Sequence, residues 1–154
     1  MHIDDPKKPI LSICLRCRDG REEQNADLDQ RGGRRLAIKV AAMFKGSAAA
    51  DHGVALRGVH CMSQCKRPCT VALSGPGRFT YLFGDLDPTR HANDVLTMAA
   101  GYAVAENGFL PRRARPAVLQ AGILGRIPPQ LFSGDLVSPI PAVPSPASPK
   151  LEVR

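Results

Sequence analysis

Five cysteines fall in two tight groups, Cys14 and Cys17 near the start of the chain and Cys61, Cys65 and Cys69 in its middle. In Cys14-Leu15-Arg16-Cys17 two intervening residues let both sulfurs reach one metal without strain, and Cys61-Met62-Ser63-Gln64-Cys65 can do the same from a sharply turning loop. A fold that joins the two groups builds a four- or five-sulfur site, the donor set of a zinc ion or an iron-sulfur cluster. Pro68 argues against one continuous helix carrying Cys61, Cys65 and Cys69, because its ring removes a donor and clashes with the preceding turn. Arg16, Arg18, Lys66 and Arg67 stand beside these thiols, where cations lower thiol pKa values and offset the charge of an anionic centre. The plainer reading of the same charges is a solvated loop surface.

The elements that must position the cysteines follow from punctuation and periodicity. Ile10 to Cys14 is apolar and β-branched after Lys8-Pro9 and reads as a strand ending on the first pair. Arg18 to Gly33 is polar and reads as a loop, with a helical start after Asp27. Leu36, Val40, Met43 and Phe44 recur at helical spacing, predicting a helix over 34–45. Val54 to Val59 reads as a second strand delivering His60-Cys61. Thr70 to Ser74, the Gly75-Pro76-Gly77 turn and Arg78 to Phe83 read as a hairpin. Asp87-Pro88 has the form of an N-cap followed by a first helical proline, and the apolar rhythm continues to Glu106 before Asn107-Gly108. The order is strand, helix, strand, strand, strand, helix, an α/β chain with a small central sheet of about four strands and two main helices. We divide it into an N-terminal extension over 1–9, one domain over 10–132 and a Pro- and Ser-rich disordered tail over 133–154, since the tail has few large apolar groups to offset the entropy of ordering.

Composition narrows the function. The 154 residues suit one domain, and Lys plus Arg number 21 against 14 Asp plus Glu, a net charge of +7 that favours an acidic partner. With no Trp, 2 Tyr and 5 Phe the stacking groups of a nucleic-acid binder are scarce, so none is expected. No stretch reaches the roughly 20 apolar residues that cross a bilayer, and acidic Asp4-Asp5 sits where a secretory leader would be basic. The expected setting is therefore the cytoplasm, where thiols stay reduced and serve as ligands or redox groups rather than disulfides. His60 beside Cys61 is an alternative ligand, read more simply as a strand-end neighbour. The arginines at 112, 113, 115 and 126 read as a solvated strip.

The stretch from Val59 to Val71, followed by Phe79 to Pro88, resembles the second half of thioredoxin-like [2Fe-2S] ferredoxins. The span from Cys14 to Pro129 is also similar to a family of bacterial proteins predicted to bind metal, some encoded beside cobalamin-synthesis genes. Its marks are the paired cysteines, Cys65-Lys66-Arg67-Pro68-Cys69-Thr70-Val71-Ala72-Leu73, Phe83-Gly84-Asp85-Leu86-Asp87-Pro88 and Arg126-Ile127-Pro128-Pro129. The resemblance implies a thioredoxin-like ferredoxin fold, a [2Fe-2S] cluster on Cys14, Cys17, Cys61 and Cys65, and Cys69 as substitute ligand, exchange group or buried hydrophobe. It further implies an electron carrier rather than an enzyme, docking on an acidic redox protein, with homodimerisation allowed and a link to cobalamin metabolism. Zinc on the same thiols, in a structural or metal-handling protein, is the alternative. A thiol oxidoreductase using Cys14 and Cys17 is the second alternative, and that chemistry wants the first cysteine at a helix N-terminus.

Overall fold

The computed structural model describes residues 5–143. The run after Pro9 forms β1, Ile10–Cys14, and its last four residues are all buried, as befits a strand covered on both faces. β2, Ala55–Val59, pairs with it in parallel, with Cys14 opposite Val59. β3, Val71–Ser74, pairs on its other side antiparallel and continues through the expected hairpin into β4, Thr80–Phe83. A fifth strand, β5 at Ile123–Ile127, extends the sheet to the order β2-β1-β3-β4-β5. The result is a mixed α/β fold, a βαβ unit joined to a ββα unit in the expected thioredoxin-like manner, with one strand more than the sequence pattern gave.

Four α-helices flank the sheet: α1 at Gly32–Phe44, α2 at Ala48–Asp51, α3 at Ala92–Val104 and α4 at Ala117–Ala121. α1 packs on β1 and α3, burying Leu36 and Val40. The second long helix starts later than Asp87-Pro88 predicts. Asp87 is committed elsewhere: its carboxylate accepts from Thr89 N at 2.8 Å, from Thr89 Oγ1 at 2.6 Å and from Arg21, a turn of the kind aspartate makes with its own downstream backbone. His91 holds the N-cap position instead, and its Nδ1 accepts from Asp87 N.

At the hairpin end of the sheet Phe79 meets Phe109 and Phe132 edge to face, and the Tyr102 hydroxyl donates to Phe79 O. Arg115 does not join a solvated strip. It is 6% exposed, lies over the Tyr81 ring and donates from Nε to Leu110 O at 3.0 Å; Arg126 likewise covers the Phe109 ring. Residues 133–143 of the expected tail are exposed, with a turn from Gly134 to Val137, while 144–154, like 1–4, lie outside the described residues. Among the described residues no helix is long and apolar enough to cross a membrane.

Candidate thiol site at one end of the sheet

All five cysteines gather where β1 ends, and the strand register explains why. Leu15 N donates to Val59 O at 2.8 Å, and Cys14 N donates to Thr70 O at 3.0 Å. Cys14 thus sits between the strand leading to Cys61 and the one that follows Cys69. With neighbouring strands about 4.8 Å apart, Cys61, two residues beyond Val59, lies within roughly 12 Å of Cys14 along the backbone. The register therefore brings both cysteine groups to one end of the sheet.

They are not equivalent. Cys14, Cys17 and Cys69 are buried, at 3%, 4% and 0% exposure, while Cys61 and Cys65 are exposed. The buried three pack on the N-terminus of α1. A Cβ added at Gly33 would stand 2.0 Å from Cys14 O and 3.2 Å from Cys17 Cβ, and one added at Gly32 would stand 3.0 Å from Cys69 Sγ. Only glycine fits at such an approach. Gly33 N also donates to Cys17 O at 3.0 Å. The N-terminus of α1 thus lies against the first cysteine pair, with its Gly33 N–H on the Cys17 carbonyl rather than on a sulfur.

Hydrogen bonding separates the thiols further. Burial acts to raise the Cys14 pKa, but the backbone N–H of Arg16, the Cys17 thiol, and the backbone N–H groups of Met62 and Cys17 outweigh it and bring the pKa below the ordinary thiol value. Backbone donors, not the expected basic side chains, stabilise this thiolate. Cys17, donor to that thiolate, is pushed up to about 11, first by burial and then by Cys14; its sulfur also lies 3.8 Å from Thr70 Oγ1. Burial raises Cys69 to about 12, with Cys17 adding to the effect. Of the four flanking cations, Arg67 is already paired, Nε to Asp85 Oδ2 at 2.7 Å, whereas Arg16, Arg18 and Lys66 are exposed.

A strap over 18–31 closes the buried side. Glu22 accepts from Asp19 N and Gly32 N at 2.9 Å and from Gly20 N at 3.1 Å. Although its partial burial opposes ionisation, these donors hold the carboxyl down at about 2. Arg21 reaches Asp87 with both terminal nitrogens, at 3.2 and 2.9 Å, and Arg35 holds Asp19 at 2.6 Å. Sequence reasoning passed over Glu22, Gly32 and Gly33. The Gly32-Gly33 pair immediately before a helical pattern was the one available signal, since glycine there costs helix stability unless something comes close.

Among the described residues no three Cys, His, Asp or Glu side chains converge at metal-ligand distance, His60 included. The chain provides two cysteine pairs at one end of the sheet, one buried and one exposed. Their donor chemistry suits a thiolate-ligated group, and hydrogen bonding brings the pKa of Cys14 below the ordinary thiol value.

Residues 11–129 match the family described as a protein of unknown function, DUF1636. Among solved structures the chain is similar to a thioredoxin-like [2Fe-2S] ferredoxin from Aquifex aeolicus at 16% identity, covering 82% of this chain and 99% of the ferredoxin, with a TM-score of 0.49. It is likewise similar to the wild-type thioredoxin-like [2Fe-2S] ferredoxin from Aquifex aeolicus at 14% identity over 77% and 98% of the two chains, with a TM-score of 0.47. No curated protein matches it.

Proposed function

The chain belongs to the DUF1636 family, and on that premise we propose that it is a thiolate-ligated metal protein, an electron carrier of the [2Fe-2S] ferredoxin kind with Cys14, Cys17, Cys61 and Cys65 as ligands. A cluster of that kind supplies one-electron exchange when bound. The observation that carries the reading is the strand register, which sets Cys14 opposite Val59, two residues before Cys61, and bonds Cys14 N to Thr70 O, next to Cys69; hydrogen bonding also lowers the Cys14 pKa. Amide donors to a thiolate favour its charged form and, in such centres, tune the potential. Burial of Cys14 and Cys17 keeps water from that side. Cys69 stands behind them as a fifth, protonated thiol.

Arg16, Arg18 and Lys66 form an exposed basic rim beside the exposed pair, which suits an acidic redox partner. The reading places the protein in the cytoplasm and holds for a monomer or a homodimer alike. The cobalamin link comes from the family resemblance and adds no residue to the site.

Purification without oxygen, a visible spectrum, and assay of iron, sulfide and zinc per chain test this directly. Brown protein with two irons and two sulfides is the expected result. Colourless protein with one zinc overturns electron transfer in favour of a structural or metal-handling role.

A second reading has its own observation. Cys14 and Cys17 lie beside the N-terminus of α1 with their pKa values moved in opposite directions, Cys14 down and Cys17 up, the asymmetry of a dithiol in which one sulfur attacks and the other resolves. Metal-free protein that cycles between dithiol and disulfide with thioredoxin would favour it.

A further inference from the structure

Cys14 and Cys17 are 3% and 4% exposed, whereas Cys61 and Cys65 are exposed and line, with Ser63, Gln64 and Lys66, a solvent-open cavity of about 490 Å³. Access to an incoming nucleophile limits how fast a thiolate ligand exchanges, so the two halves of one donor set differ in the property that governs transfer. The loop is anchored at Met62, which packs against the core, and at Arg67, whose carbonyl accepts from Asp85 N at 3.2 Å. Between these anchors Ser63 N donates to Cys61 Sγ at 3.4 Å and Arg67 N to Gln64 O at 2.9 Å, both within the loop.

We propose that Cys61 and Cys65 are the exchange face of this site, taking a thiophilic metal from a thiol-bearing carrier and returning it, while Cys14 and Cys17 are the retaining face. The proposal rests on the four-cysteine ligation proposed above. On release one metal–sulfur bond to the carrier's thiolate forms and one to Cys61 or Cys65 breaks, and uptake is the reverse, with Cys61 or Cys65 as the incoming thiolate. The proton shed by the incoming thiol passes to the departing sulfur, and the metal keeps its oxidation state, so no oxidant or reductant is needed. Lys66 at the mouth of the cavity draws in the anionic thiolate.

Stopped-flow mixing of the reduced full-length chain with cadmium ion alone, followed by the ultraviolet thiolate-to-cadmium band, tests the assignment. In the wild type the band should rise in a fast phase and then a slow phase, ending at one cadmium per chain. In the double variant Cys61→Ser/Cys65→Ser the fast phase should vanish and the remaining signal should form at least about tenfold more slowly, because metal then has to wait for local opening. Both substitutions are at exposed positions, and an unchanged melting temperature confirms that the variant is folded. If the variant takes up cadmium as fast as the wild type, the exchange face is wrong while the shared site stands. If the wild type saturates at two cadmium ions per chain, the shared site is wrong and the exchange proposal falls with it.

Discussion

Cys65 and Cys69 are four residues apart on one loop, yet they occupy different solvents. Cys69 has no exposed surface, packs against Gly32 and carries a thiol pushed up to about 12 by burial and by its neighbour Cys17. Cys65 lines an open cavity beside Lys66. The same contrast divides Cys14 and Cys17 from Cys61 and separates a packed region, where thiols are core residues, from a rim where they face solvent. Membership of a cysteine motif therefore does not predict behaviour. What decides it is whether the first turn of α1 and the strap over 18–31 lie on top.

The sharpest way to break this contrast is to push the helix away. In Gly33→Ala the new methyl would stand 2.0 Å from the Cys14 carbonyl oxygen, a backbone atom that cannot give way, so stability in urea should fall by about 3 kcal/mol. Iodoacetamide should then modify Cys17 and Cys69 nearly as fast as Cys61 and Cys65, whereas in the wild type mass mapping should find only the latter two modified early. Equal protection in the variant would show that α1 does not cover the thiols.

Next in size is a matched pair of truncations. Cys69→Ala removes a buried sulfur and should cost about 2 kcal/mol, while Cys65→Ala should change stability by less than about 0.5 kcal/mol; comparable losses would erase the distinction. The remaining effects are those of pH and the strap. Cys17 and Cys69 have folded pKa values of about 11 and 12 against 9.0 for an ordinary thiol, so the unfolded chain releases their protons first. Their contribution is complete below pH 9 and should be lost as pH rises toward 11 or 12, a decline that Cys69→Ala should flatten. Glu22 works in the opposite sense, since its folded pKa of about 2 lies below the usual 4.5. Its contribution is present above pH 4.5 and should disappear as pH falls toward 2, and Glu22→Gln should remove that acid dependence together with about 1 kcal/mol at neutral pH.

The first strand, the hairpin and both long helices were legible because each carries its own period and its own stop signals. β5 was not: Ile123-Leu124-Gly125-Arg126-Ile127 contains a glycine and an arginine and earns its place only by pairing with β4. The start of α3 was misread for a related reason. Asp87-Pro88 has the local form of a helix start, but Arg21, 66 residues away, takes the Asp87 carboxylate. At the site, the gathering of the thiols followed from their spacing on strand ends. Their division into buried and exposed did not, because it depends on α1 docking through Gly32 and Gly33 and on three amides closing around Glu22. Local pattern reveals which residues arrive together, and long-range packing decides what each then experiences.

The aromatic clasp of Phe79, Phe109 and Phe132 has a consequence for how the molecule is presented. It lies at the hairpin end of the sheet, where Pro9 meets Gly75 and the 133–143 segment departs, one strand length, about 17 Å, from the thiols. Both flanks thus leave from the pole opposite the sulfur rim, like a stem below a flower. Pro9 and Ser133, where the two flanks meet the sheet, therefore sit at the far pole from the cysteines.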